Sequence, residues 1–342
     1  MRILLTSYAF PPSVGGIESI SVALAEQFVR CGHEVRVVTA IRADDDRTSY
    51  GFEVTRRPGA AQLVRLVRWS EIVFHNNISL RYAWPMLFLN RPWVITHATW
   101  IEPGIAGTMK RFASRFATNV AISRAIAEGI AVPSTLIHNP YDSSLFRPLS
   151  RVRDRELIFV GRLIHAKGIH VLLRALAQIR QLGLRPRLTI VGGGPEEAAL
   201  RRMTTELGLA EAVTFAGVKR GQSLVNEMAR HLIMVVPSLW NEPFGIVALE
   251  GLACGCAIVG SNGGGLADAI GPCGLTFPNG DAHALAQCLL RLLSSDGERN
   301  AMLQSVPEHL EEHSVQHIAE KYLDVFSAAM NARAGKAKKA RE

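Results

Sequence analysis

Strand-like and helix-like segments alternate along the whole of this 342-residue chain, and the alternation breaks and restarts once near the middle. Together with 48% hydrophobic but only 7% aromatic residues, this predicts an α/β protein of two parallel sheets, each covered by helices on both faces. The length agrees, since it exceeds what one small core organises and suits two domains of ordinary size.

Residues 2–6 read as a first buried strand, 17–30 as a helix closed by Gly32, and 34–39 as a second strand. Strands at 71–74, 93–97 and 119–122 continue the series, with helical segments between them. The run Asn139-Pro140-Tyr141-Asp142 through Arg147-Pro148 then interrupts the periodicity with two prolines and turn residues. Beyond it, strands at 156–160, 187–191, 213–215, 232–236 and 257–259 alternate with helices at 169–181, 196–207 and 246–253. The economical result is two Rossmann-like halves, 1–147 and 148–314, with ligands expected at the carboxyl ends of the strands in an inter-domain cleft. A last helix at about 315–332 is free to cross back onto the first half, and 333–342 reads as a basic, disordered tail.

The net charge of +8 is unevenly distributed. Residues 1–147 carry 16 Lys/Arg against 11 Asp/Glu, residues 148–332 carry 17 against 18, and the last ten carry 5 against 1. No recognition motif accompanies the charge, so nucleic acid is not an expected partner. An anionic membrane surface or a phosphorylated lipid acceptor fits the asymmetry, and so does ordinary surface charge with a solvated tail. No apolar run reaches the length of a bilayer span, and the apolar start of the chain is too short for a signal-peptide core. Cysteines at 31, 254, 256, 273 and 288 form no paired framework, and Cys254-Gly255-Cys256 has neither zinc nor redox spacing. A reduced, cytoplasmic chain is expected.

The segment Trp240 to Glu250 carries the strongest chemical signal. Glu242 and Glu250 stand eight positions apart around a Pro243-Phe244-Gly245 turn, between a strand and an apolar helix. One carboxylate and a helix N-terminus thus face the same end of the sheet, with the second carboxylate about 7.5 Å further along the helix axis. An extended, charged ligand such as a nucleotide-sugar can use both. Val160-Gly161-Arg162-Leu163, followed by Lys167-Gly168, places two cations after the second half's first strand, a cradle for a diphosphate or else a solvated basic face. The loop from Tyr8 to Glu18 holds Gly15 and Gly16 ahead of a helix, which suits close approach to an anion or a simple tight turn.

Other candidates are weaker. Val191-Gly192-Gly193-Gly194-Pro195 resembles a dinucleotide fingerprint, but its third glycine would fall at Glu197, so NAD is rejected. His97 ends a strand and is a candidate for sugar or acceptor contact, although a lone histidine also serves structure, and His75 stands at a similar strand end. Asp44-Asp45-Asp46 reads as a solvated loop rather than a metal site. With no other ligand cluster, no metal and no cofactor are expected. In the helical pattern at 109–116, Met109, Phe112 and Phe116 share one face, with Lys110, Arg111, Ser114 and Arg115 around the other. That face either packs into the first domain or lies on an anionic bilayer.

Taken together, five segments in order resemble the GT-B retaining glycosyltransferases of family 4 over nearly the whole chain. They are Pro12-Ser13-Val14-Gly15-Gly16, Gly161-Arg162-Leu163 with Lys167-Gly168, Val191 to Pro195, Glu242-Pro243-Phe244-Gly245 to Glu250, and Gly255 to Val259 with Gly264-Gly265. The resemblance implies two facing Rossmann domains, an acceptor in the first and a UDP-, GDP- or ADP-sugar in the second. It implies that Arg162 and Lys167 bind the diphosphate, that Glu250 takes the ribose hydroxyls, and that Glu242 with the amides of Phe244 and Gly245 holds the sugar. His97 would touch the sugar near the reacting carbon, Gly16 beside Gly15 would approach the phosphates, and the turn Gly217-Val218-Lys219 would bear on donor selectivity. Transfer would retain anomeric configuration without a metal, onto a saccharide or lipid-linked acceptor, as in envelope or exopolysaccharide synthesis on the cytoplasmic side of a membrane. The chain departs from the pattern at His138 to Asp142, where Pro-Asn-Gly-x-Asp is usual, and at Asp268, where Glu is common. A nucleotide-sugar epimerase or hydrolase of the same architecture, and a non-catalytic sugar-nucleotide binder, are the alternatives.

Overall fold

The computed structural model describes residues 1–13, 15–43, 49–149 and 152–339, with side chains through residue 335. The chain divides into two compact units, Met1–Pro140 with Ser314–Glu342, and Tyr141–His313.

The first unit holds seven strands: β1 Arg2–Ser7, β2 Glu34–Thr39, β3 Glu53–Arg56, β4 Ile72–Asn76, β5 Trp93–His97, β6 Thr118–Ala121 and β7 Ser134–Leu136. They form one parallel sheet in the order β3-β2-β1-β4-β5-β6-β7. Every residue of β4 and β5 is buried, as expected of central strands covered on both faces, which read as continuous apolar runs rather than alternation. Leu5 of β1 pairs with Val37 on one side and Phe74 on the other.

The helix Val315–Lys339, last in sequence, belongs to this unit and packs on the helix Gly16–Arg30 and on β5. Phe326 places its ring 5.5 Å from Phe28 and 5.2 Å from Phe74, and Tyr322 shares a 2.9 Å hydrogen bond with Thr96 Oγ1. Truncating a buried phenylalanine of this kind costs about 3–5 kcal/mol. The helix runs past residue 332 through Ala, Lys and Arg, good helix formers that outnumber the single Gly335, into the segment where the sequence suggested a disordered tail.

The second unit holds β8 Arg155–Val160, β9 Leu188–Val191, β10 Val213–Phe215, β11 His231–Val236, β12 Ala257–Ser261 and β13 Gly274–Phe277. Its sheet is also parallel, in the order β10-β9-β8-β11-β12-β13. Leu172, Leu176 and Ile179 of the helix Ile169–Gln181 meet Leu285, Leu289 and Leu292 of the helix Ala282–Ser294 in its core, at the i, i+3, i+4 spacing of amphipathic helices. In both units the order reverses at the first strand, between β1 and β4 and between β8 and β11. Loops leaving the carboxyl ends of those two strands part in opposite directions, which is where open α/β sheets bind ligands.

Candidate functional site

At the reversal point of the second unit, the loops after β8 and β11 carry Arg162, Lys167 and Glu242. A short 3₁₀ turn, His165–Lys167, ends at Gly168 with φ of 67°. A Cβ at residue 168 would fall on the carbonyl oxygen of Pro237, so this turn needs glycine for both conformation and space. The Ala166 carbonyl accepts from the N–H groups of Leu239 and Trp240, at 2.9 and 3.2 Å. The two loops therefore form one continuous rim.

On that rim Lys167 Nζ donates to Glu242 Oε1 at 2.5 Å, and Ser238 Oγ donates to the same oxygen at 2.7 Å. Oε2 has no hydrogen-bond partner among the described residues and is available to hydroxyl donors. The backbone of Glu242 is fixed by a bridge to Gly264 and by the Gly265 N–H, which donates to its carbonyl at 2.7 Å. Phe244, buried, packs tilted against His313 with ring centroids 5.8 Å apart. Gly245, with φ of 108°, then starts the helix Ile246–Ala253, which no side chain caps. Its first N–H groups point out of the helix as anion donors.

Arg162 is exposed and has no carboxylate partner among the described residues. Its loop is held in place by the Gly161 N–H donating to Val191 O and the Leu163 N–H to Gly193 O, both at 3.0 Å. Glu250 is partly buried, and its carboxyl accepts no hydrogen bond from the described residues. Burial, with the Asp142 charge as a lesser cause, pushes its pKa up from 4.5 to about 7. Asp142 stays in place because its Oδ1 accepts from Ser144 N, Ser144 Oγ and Leu145 N. Lys219 lies 3.4 Å from Glu227, which also pairs with Arg155 at 3.1 Å, so its charge is already engaged within the unit.

In the first unit, His97 ends β5 and is fully buried. Asn119 donates through Nδ2 to the carbonyls of Ser114 and Ala117, at 2.9 and 3.1 Å, which orients its Oδ1 toward His97 Nε2 at 2.9 Å. An acceptor there requires the proton on Nε2, leaving Nδ1 as a bare lone pair with no partner among the described residues. Burial lowers the His97 pKa, partly opposed by the Asn119 bond, so the neutral ring is favoured. His75, also fully buried, packs edge-on against Trp93 at 5.4 Å, and burial pushes its pKa down to about 3. It is a core residue. Gly15 and Gly16 open the first helix, and the helix's own Glu18 folds its carboxylate over Gly15 while accepting from Ser13 Oγ at 2.8 Å.

Sequence reasoning missed Ser238, Asn119 and a group formed by His165, His170 and Glu196. The last corrects the expectation that no ligand cluster exists: the backbone brings the three together, but 26 positions separate Glu196 from His170 in the chain. Asp44-Asp45-Asp46 lies outside the described residues. In the helix Ile105–Ser114 only Gly107, Ala113 and Ser114 are buried, while Met109, Phe112 and Phe116 are exposed. The alternative in which that apolar face packs into the domain is therefore overturned.

Comparison with known proteins follows the same lines. Residues 142–309 match the glycosyl transferases group 1 family. The chain is 36% identical over 177 residues to a D-inositol 3-phosphate glycosyltransferase of Corynebacterium urealyticum, covering 49% of this chain and 42% of that one. It spans about half the length of this relative and of its Saccharomonospora viridis counterpart. A GDP-mannose-dependent alpha-(1-6)-phosphatidylinositol monomannoside mannosyltransferase of Mycolicibacterium smegmatis is 28% identical, over 88% of this chain and 91% of its own. Among solved structures, Anabaena HepE in complex with UDP superposes with a TM-score of 0.81 at 20% identity, covering 96% of this chain and all of HepE. Sucrose-phosphate synthase from Thermosynechococcus elongatus superposes with a TM-score of 0.80 at 21% identity, covering 97% and 99%. With its two parallel α/β sheets, the chain has the GT-B fold, and its residues 142–309 are those that match the glycosyl transferases group 1 family.

Proposed function

We propose that the protein is a retaining, metal-independent glycosyltransferase that moves a sugar from a nucleoside diphosphate-sugar to a saccharide or lipid-linked acceptor in cell-envelope or exopolysaccharide synthesis. The observation that carries this reading is the Lys167–Glu242 pair, set on one rim with Arg162 and an uncapped helix N-terminus. Arg162 and Lys167 neutralise the departing diphosphate, the role a metal plays elsewhere. Glu242 turns its free Oε2 to sugar hydroxyls, and Glu250 accepts from the ribose. Because Oε1 of Glu242 is already held by Lys167 and Ser238, this carboxylate suits positioning better than proton transfer.

The reaction then runs on one face of the sugar. The bond from the anomeric carbon to the phosphate oxygen breaks, the acceptor oxygen bonds to that carbon, and the acceptor proton passes to the departing phosphate. The family resemblance implies a sugar contact for His97, which requires its buried Nδ1 to become accessible when donor binds. The resemblance adds Gly15 and Gly16 to the phosphate contacts, which requires the Glu18 carboxylate to move off Gly15, and in this proposal the Lys219 turn contacts the donor through its backbone. The relatives named above include a UDP complex and a GDP-mannose-dependent enzyme, so the base is a matter for experiment.

No helix among the described residues is long and apolar enough to cross a membrane. We place the protein peripherally on the cytoplasmic face of one. Phe88, Ile105, Met109, Phe112 and Phe116 are more than half exposed on the first unit, beside Lys110, Arg111 and Arg115. Apolar insertion next to cations is the chemistry of an anionic lipid surface.

A thermal-shift screen of UDP-, GDP- and ADP-sugars, followed by product analysis with and without acceptor in EDTA, tests the reading. Donor binding and acceptor-dependent product with retained configuration support it. Hydrolysis or epimerisation of donor alone, or no donor bound, overturns it.

A further inference from the structure

His165, His170 and Glu196 bring two imidazole nitrogens and a carboxylate oxygen within 4.8 Å of one another. They come from three pieces of the second unit: the 3₁₀ turn after β8, the first turn of the helix Ile169–Gln181, and, beyond β9, the residue just before the helix Glu197–Glu206. The imidazoles stack at 4.7 Å with only 9° between their planes. None of the three side chains makes a hydrogen bond or ion pair with a described residue, so every lone pair in the group is uncommitted.

The backbone beneath them is fixed. The Glu196 N–H donates to Leu163 O at 3.1 Å, the Gly168 N–H to His165 O at 3.0 Å, and the Val171 N–H to Gly168 O at 2.9 Å. His165 is exposed, so its side chain has room to turn toward the other two. Tetrahedral zinc, with bonds of about 2.0–2.2 Å, needs ligand atoms roughly 3.3 Å apart and in the plane of each ring, so the parallel imidazoles must turn out of their stack to hold it.

We propose that His165, His170 and Glu196 form a binding site for a first-row transition-metal ion of the zinc class, with water in the fourth position. Two neutral imidazoles and one carboxylate are the donor set such ions prefer over magnesium or calcium, which favour all-oxygen shells. The ion is not a reactant. It staples the turn that carries Lys167 to the first turns of two helices, and its binding does not depend on the proposed transfer reaction.

The test uses the full chain stripped with a chelator and titrated with Co²⁺, whose visible absorption reports binding. One equivalent should bind, Zn²⁺ should displace it, and Zn²⁺ should raise the Tm. Both His170→Ala and Glu196→Gln should weaken cobalt binding by at least about tenfold and abolish the Tm rise, while His309→Ala, in the other histidine pair of this unit, leaves both unchanged. Circular dichroism confirms that each variant is folded. Absence of binding, or wild-type affinity in either His170→Ala or Glu196→Gln, overturns the proposal.

Discussion

Lys167 Nζ lies 2.5 Å from Glu242 Oε1, joining the cation proposed for phosphate to the carboxylate proposed for sugar. Their side chains are only 26% and 15% exposed, so each charge would be poorly solvated without the other. Lys167→Ala and Glu242→Ala should each lower kcat/KM by roughly 10²–10³-fold, the scale of losing one preorganised electrostatic contact. The double variant should lose much less than the product of the two, because the residues act as a unit. A double-mutant cycle measures this, and strict additivity would rule out the joint role.

Gly168→Ala should destabilise the protein by more than about 2 kcal/mol, combining left-handed strain with a collision at the Pro237 carbonyl. Gly183→Ala is the control: its φ is 90°, but nothing lies near its Cβ, so only the conformational cost of about 1 kcal/mol applies. Urea unfolding of both variants separates space from conformation.

The raised pKa of Glu250 sets a pH dependence. Its folded-state value of about 7 stands above the ordinary 4.5, so the folded protein holds a proton that the unfolded chain has released. The resulting stability is fully present below about pH 4.5 and is lost as pH rises through 7, by up to about 3 kcal/mol at 1.36 kcal/mol per pKa unit. Glu250→Gln should therefore gain stability over wild type at pH 8 and little at pH 4. If the carboxylate accepts ribose hydroxyls, donor affinity in the wild type should tighten between pH 6 and 8 and stay flat in Glu250→Gln. Calorimetric titration with the donor reads both slopes.

Asn119→Ala should free the His97 ring from its single tautomer and remove the side-chain donor from the carbonyls of Ser114 and Ala117. We expect kcat to fall about tenfold, less than the roughly 10²–10⁴-fold that a positioned acid–base group itself contributes, with little change in donor KM. A fall in donor affinity alone would contradict that assignment.

Phe88→Ser with Phe112→Ser should abolish cosedimentation with vesicles containing phosphatidylglycerol and leave transfer to a soluble acceptor intact. Wild-type binding should weaken with salt, since Lys110, Arg111 and Arg115 act over about 8–10 Å. Equal binding to neutral phosphatidylcholine would argue against the electrostatic part.

The central strands were legible because burial on both faces forces apolar runs such as Ile233 to Val236. The strands β3, β7 and β13 were not, and all three are short edge strands. Glu53-Val54-Thr55-Arg56 buries only Thr55, so its sequence carries no core signal. Within the site, the loop residues flanking glycine turns were readable, because turn chemistry and charge are local. The contacts of Ser238 with Glu242 and of Lys219 with Glu227 were not, since they depend on which rotamers meet across a turn. The helix Val315–Lys339 shows the same limit: its presence was visible, but its seat against Phe28 and Phe74 depends on tertiary packing.

The Ala166 carbonyl, shared by the N–H groups of Leu239 and Trp240, bars the site from changing by insertion. One added residue between Pro237 and Glu242 advances the chain by as much as about 3.5 Å, which would carry the carboxylate out of reach of Lys167. Donor preference in such a frame can drift only through the side chains it displays, so divergence here would be recorded as substitutions and not as gaps.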